Sequence, residues 1–221
     1  RMDIAAWYRP AQKVGGDLYD VFALPDGRVG MAVADVSGKG IAASLLMAIC
    51  QANLRRFAGD HDSPAEALRA LNREIVGKMR QDMFVTFIYG VIDTAAATLT
   101  IARAGHELPL LLHQNSANGE LHVSSIGSEG MAVGMVPPEI FDVVIEDRTV
   151  PFTEGDIITL YTDGITEACN PDGVEFSETR LKDTLLTLRD RPASAINDGI
   201  ISNVERFTGA NAFADDLTLI T

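Results

Sequence analysis

The chain reads as an α+β fold, antiparallel sheets packed together and covered by helices, on two observations. Its apolar, β-branched runs cluster and are joined by short turn-bearing connections, and its helical-period segments come in adjacent pairs between those clusters. Strands alternating singly with helices would instead give a doubly wound parallel sheet. The 221 residues, 47% hydrophobic and 22% charged, can bury a full core, and no composition shift divides them, so one domain over 1–221 is expected.

Residues 4–9, 18–24 and 28–36 read as strands, the last two joined by Pro25-Asp26-Gly27, turn chemistry that closes a hairpin. After Gly38-Lys39-Gly40 the apolar period lengthens to about three and a half. Ile41, Leu45, Ala48 and Ala52 then share one face of a helix running to about Phe57. A second helix starts at Ser63, a capping serine, with Pro64 in the first helical position and Glu66 completing a capping box. Leu68, Leu71, Ile75 and Met79 form its buried stripe.

The run FVTFIYGVID at 84–93 suits a central strand, 98–102 alternates, and 108–113 adds another strand. Asn118-Gly119 marks a hairpin into 120–125. Residues 127–138 are loop-like, 141–150 strand-like, and 156–162 a buried strand that delivers Asp163-Gly164 at its end. Helices follow at 177–188 and 193–207, and a last strand at 217–221 is entered through Asp215-Asp216. There is no internal repeat and no low-complexity tract.

Eighteen Lys and Arg against 31 Asp and Glu give a net charge of -13, which argues against a nucleic-acid binder and for a basic or neutral protein partner. Cys50 and Cys169, far apart in apolar surroundings, read as buried free thiols in a reducing compartment. No apolar run is long enough to cross a bilayer and no leader is seen, so a soluble, cytoplasmic piece without membrane contact is expected. The start at Arg1 suggests a domain excised from a longer regulatory protein.

Four aspartates, Asp17, Asp35, Asp163 and Asp215, each stand where an apolar run meets a glycine-rich or acidic turn. Carboxylates gathered from strand ends make an all-oxygen pocket for hard divalent cations, which points to metal-assisted phosphate chemistry. Gly15-Gly16 before Asp17 permit close backbone approach, and the strand that follows fixes the carboxylate. ADVSGKG at 34–40 ends a strand on Asp35 and enters a helix, but lacks the spacing of a Walker loop. There Asp35 is read as bridging two cations, the Val36 carbonyl as a further oxygen ligand, and Lys39 as a solvated loop lysine.

YTDGITEA turns Asp163 out of a buried strand, with Glu167, one helical turn on, read as an exposed residue in preference to an acceptor behind the ligands. Asp215 and Asp216 set two charges side by side, a costly arrangement without a cation or donor between them, and strand alternation directs only one of the pair to a ligand position. His61, His113 and His122 are scattered and form no HExxH or His/Cys cluster, so zinc hydrolysis is not expected. His106, in AGHELP, is read as a hydrogen-bonded loop histidine that orders the turn. No serine sits in GxSxG.

Taken together and in this order, VGGDLYD, VADVSGKG, FVTFIYGVID, AGHELPLL, LYTDGITEA and DDLTLI resemble the metal-dependent protein phosphatase (PPM) family, most closely its bacterial RsbU and SpoIIE branch. These motifs span residues 14–220. The resemblance implies a central antiparallel β-sandwich flanked on both faces by pairs of α-helices, with two divalent cations, Mn2+ or Mg2+, at one end. It also implies hydrolysis of phosphoserine or phosphothreonine on a protein by a cation-activated water, without a covalent phosphoenzyme.

Carried over by motif, Asp35 bridges the cations, Val36 adds its carbonyl, and Asp163 and Asp215 complete one metal shell. Asp17 holds cation-bound waters or ligates directly, and Asp216 stands behind the ligands. The usual substrate in that branch is a phosphorylated anti-anti-sigma factor of the STAS fold, whose dephosphorylation lets it sequester an anti-sigma kinase. The resemblance further implies control by an upstream sensor or receiver domain acting on the two helices after ADVSGKG, marked by Leu45 and Leu68, and leaves homodimerisation open.

Two departures from eukaryotic members matter. The Gly-His after their bridging Asp is Val36-Ser37 here, and a serine hydroxyl is a poor general acid at neutral pH. Their phosphate-binding arginine has no equally spaced equivalent, which leaves Lys13 or Arg9 as substitutes, and slow intrinsic turnover is expected. Two readings compete: a catalytically weak scaffold module of the same fold, and a metal-dependent nucleotide hydrolase or cyclase, which would need a base pocket and phosphate-facing basic residues.

Overall fold

The computed structural model describes residues 2–79, 83–114, 119–209, 211 and 213–221; Asn118, half of the expected Asn-Gly turn, lies outside them. In chain order the elements are β1 (Ala6–Arg9), β2 (Leu18–Ala23), β3 (Val29–Val36), α1 (Ile41–Asp60), α2 (Pro64–Ile75), β4 (Val85–Asp93), β5 (Thr98–Ala104) and β6 (Leu110–Gln114). There follow β7 (Leu121–Ser125), α3 (Pro138–Val144), β8 (Asp147–Pro151), β9 (Ile157–Tyr161), α4 (Asp163–Thr166), α5 (Ser177–Leu188), α6 (Ala193–Thr208) and β10 (Leu217–Ile220). The fold class is α+β, with two five-stranded sheets, antiparallel throughout, among the described residues. The chain divides into two compact units, each with its own sheet and helices.

One unit comprises Val14–Leu108 and Gly127–Phe152. Its sheet runs β2-β3-β4-β5-β8, a meander in which Leu18 faces Ala34 and Val36 faces Val85. Leu54, Leu68, Leu71, Phe87, Tyr89 and Phe141 fill its core, each such burial being worth about 1.5–3 kcal/mol.

In α2 the Ser63 hydroxyl accepts the Glu66 N–H at 3.1 Å, as its capping role requires. The reciprocal half of the box is absent, because Glu66 pairs with Arg69; Asp147, at the start of β8, instead accepts from the Ser63 hydroxyl and from Ala65 N–H.

Two expectations fail in this unit. The stripe expected to bury α1, Ile41, Leu45, Ala48 and Ala52, is exposed, and Ala43, Cys50, Leu54 and Ala58 face the core instead. The helix is apolar on more than one side, so periodicity alone could not choose between faces. Residues 141–150 are not one strand: Pro138 in the first helical turn starts α3, and Phe141 and Ile145, four apart, both bury. The strand begins only at Asp147.

The other unit comprises Arg1–Lys13, Pro109–Ile126 and Thr153–Thr221. Its sheet runs β1-β10-β9-β6-β7, and Leu110, Leu112, Val123, Leu217 and Leu219 form a core with Leu181 and Leu185 of α5 and Ile196, Ile200 and Val204 of α6. Cys169 is exposed, contrary to the sequence expectation, whereas Cys50 is buried. No helix among the described residues is long and apolar enough to cross a membrane.

Candidate metal centre

In the unit holding β2 and β3, the sequence brings Asp17 and Asp35 to adjacent strand ends. The last paired residues are Leu18 and Ala34, and one step further along the same antiparallel register sets Asp17 opposite Asp35. A side chain at Gly16 would place its Cβ 3.3 Å from the carbonyl oxygens of Val36 and Gly38 and 3.5 Å from an Asp35 carboxylate oxygen, so glycine permits this approach. Asp17 is buried at 4% exposure and Asp35 is half-buried.

The end of β3 is held from several sides. Ser37 donates its N–H to the Phe84 carbonyl and accepts the Phe84 N–H on its hydroxyl at 2.7 Å. That hydroxyl serves strand pairing, in keeping with its poor acidity. Thr86 Oγ1 lies 3.4 Å from the Asp35 carbonyl and 2.8 Å from His106 Nδ1. His106 is 3% exposed, its backbone carbonyl accepts from Arg103, and its ring meets the Thr86 hydroxyl that lies against the Asp35 carbonyl. Lys39 is exposed, and the Ser44 hydroxyl of α1 donates to the Gly15 carbonyl at 2.7 Å.

In the other unit, β9 ends at Tyr161 and α4 starts at once on Asp163. Thr162 anchors the junction, donating its N–H to the Thr218 carbonyl and accepting the Thr218 N–H on its hydroxyl. A Cβ at Gly164 would stand 1.9 Å from the Asp216 carbonyl oxygen, so only glycine lets α4 lie against the Asp215-Asp216 backbone. Asp163 and Asp215 thereby come within electrostatic reach of one carboxyl. Glu167 is held above the ordinary glutamate range by burial and by the negative fields of Asp163, Glu175 and Asp215.

Asp216, 6% exposed, accepts the Ala11 N–H at 2.7 Å, and its own N–H goes to Asp215. Arg9 pairs with Glu205 at 2.6 Å, and its guanidinium lies over Trp7 and Phe213. Lys13 is exposed. Of the two residues marking the expected regulatory helices, Leu68 is fully buried and Leu45 is 61% exposed.

The expected ligands thus fall as two carboxylate pairs, one per unit. Among the described residues no group of three or more His, Cys, Asp or Glu is placed to hold a metal ion. The chemistry of the donors, aspartates on rigid strand ends with the Val36 carbonyl beside Gly16, suits a hard cation such as Mg2+ or Mn2+. Sequence reading missed Thr86 and the field at Glu167; the histidine in AGHELP was the available signal for the first, and nothing short of three dimensions reveals the second.

The family model of stage II sporulation protein E (SpoIIE) matches residues 25–221. The phosphoserine phosphatase RsbU of Bacillus subtilis is 29% identical over 78% of this chain and 49% of its own length. The chain spans 37%, 49% and 51% of the lengths of three curated relatives it matches. Among solved structures, the RsbU and RsbW domains of a Mycobacterium tuberculosis protein superpose with a TM-score of 0.82 at 27% identity, covering 99% of this chain and 60% of that one. The PP2C phosphatase domain of Bacillus subtilis SpoIIE, with a fragment of its regulatory domain, shares the fold at a TM-score of 0.79 and 19% identity, covering 100% of this chain and 62% of that one.

Proposed function

The chain belongs to the SpoIIE family, within the RsbU and SpoIIE branch of the metal-dependent protein phosphatases, and from that premise we propose that it hydrolyses phosphoserine or phosphothreonine on a protein. What supports the reading is the SpoIIE family match together with Gly164, which lets α4, starting on Asp163, lie against the Asp215-Asp216 backbone. Carboxylates on two such adjoining segments repel one another, and a resident divalent cation would remove the cost. Asp17, Asp35 and the Val36 carbonyl, in the other unit, are proposed as further oxygen donors.

When bound, divalent cations supply charge neutralisation for a phosphoryl group and acidify water. The chain's own residues hold that arrangement rigid. Ser37 and Thr86 fix the strand end that carries Asp35, and Asp216 fixes the entry to β10 by taking the Ala11 N–H. Ser37, which stands where eukaryotic members have a histidine, is engaged by Phe84 and is a poor general acid, which supports the expectation of slow turnover.

The substrate proposed is a phosphorylated STAS-domain anti-anti-sigma factor. The resemblance to RsbU, and to a protein that joins RsbU and RsbW domains in one chain, supports a partner-switching role. Control is proposed to act through α1, because its first turn holds the Gly15 carbonyl next to the Asp17 turn. The test is Mn2+-dependent hydrolysis of such a phosphoprotein. Asp35→Asn and Asp163→Asn should each abolish it, and turnover that survives both would defeat the assignment.

A further inference from the structure

We propose that His113 and His122 form a binding site for a borderline divalent cation, with zinc as its reference ion, separate from the aspartate centre and independent of the phosphatase reading. The two histidines are nine residues apart in sequence, yet they are direct partners in the antiparallel pair β6-β7. Directly opposed residues share a face, with Cβ atoms about 4.5–5.5 Å apart, within the reach of two imidazoles converging on one ion.

Alternation assigns that face. Leu110, Leu112 and Val123 turn into the core under α5 and α6, so His113 and His122 project to the opposite side, and both are solvent-accessible.

The second observation is the residue next in the same row. β6 also pairs with β9, Leu111 facing Ile158 and Leu112 facing Ile157. One further step puts Asp156 opposite His113, and there the Asp156 carboxylate lies 2.8 Å from His113 Nδ1. The Asp156 side chain is 3% exposed, and its other oxygen accepts the N–H and hydroxyl of Thr153. Its orientation is therefore fixed before any ion arrives.

A carboxylate accepts and does not donate, so His113 donates its Nδ1 proton to Asp156, which leaves Nε2 as the nitrogen that a metal ion can take. Carboxylate, imidazole and ion in that order is the arrangement by which proteins orient a ligating histidine and raise its basicity. Two imidazoles, with water in the remaining positions, select zinc, nickel or copper over Mg2+ or Mn2+, which prefer oxygen. The chain then separates two kinds of cation by ligand chemistry, oxygen donors on the aspartates and nitrogen donors on this row.

Calorimetric titration with Zn2+, in excess Mg2+ to occupy the carboxylates, tests the site. The expected result is a single Zn2+ bound per chain, lost in His113→Ala and in His122→Ala, weakened about 10–100-fold in Asp156→Asn, and retained in Asp163→Asn. His122 is exposed, so its alanine variant should fold, and an unchanged thermal melt without Zn2+ establishes that. In the intact chain the imidazole C–H resonances of both histidines should shift with one equivalent of Zn2+. Zn2+ binding of unaltered strength in His122→Ala, or no binding by the unsubstituted chain in excess Mg2+, would overturn the proposal.

Discussion

At the scale of single residues, the candidate centre depends on where side chains are missing. Gly164→Ala drives a methyl group into the Asp216 carbonyl, and backbone has to move to admit it. A loss of about 3 kcal/mol in chemical denaturation is expected, together with loss of activity, since the displaced segment carries Asp215. Gly16→Ala meets only contacts of 3.3 Å or more and should cost about 1 kcal/mol while altering the metal titration.

The cysteines provide a separate check on the packing. Burial pushes the Cys50 thiol up to about 12, so it has almost no thiolate near neutral pH, whereas Cys169 is exposed. A maleimide should label Cys169 alone in the folded chain and both thiols after denaturation; rapid labelling of Cys50 in the native state would mean that α1 does not pack as described.

At the scale of elements, α1 and α2 differ in what their leucines do. Leu68→Ala empties a fully buried position and should cost about 2–5 kcal/mol, whereas Leu45→Ala, on an exposed face, should change stability by no more than about 0.5 kcal/mol. If α1 controls the centre, Leu45→Ala alters the response of activity to Mn2+ at unchanged stability, and an unchanged titration counts against that control.

Glu178 at the start of α5 receives the Ser125 and Tyr161 hydroxyls and pairs with Lys182; together these outweigh burial and hold its carboxyl below the ordinary glutamate range. Its contribution is complete above the ordinary glutamate pKa and is lost as pH falls through the lowered one. Acid melts of Glu178→Gln should therefore be less steep in that window than those of the parent.

What could be read in advance follows from which forces are local. The Ser63-Pro64 start of α2 was legible because a cap and a first-turn proline act within four residues. The buried face of α1 and the boundary between α3 and β8 were not, because tertiary partners choose among apolar faces that period alone leaves equivalent. In the site, the aspartates stood out at strand ends, while the uses of Asp216 and Arg9 depended on Ala11 and Glu205, far away in sequence.

At the scale of the whole molecule, the two units are interleaved along the chain, which is why composition showed no boundary between them. The net charge sets the last expectation. A chain of charge -13 repels a phosphoryl group at long range, and aspartates at the candidate centre repel it at short range. Cations held there would reverse the local sign, so their removal affects binding as well as chemistry. Chelation should abolish turnover and weaken association with a phosphorylated protein substrate by about tenfold or more, while leaving association with the unphosphorylated form of the same protein unchanged. Surface plasmon resonance on both forms, with and without chelator, separates this from general unfolding. Equal loss for the two forms would mean that the cations support the fold and do not meet the phosphate.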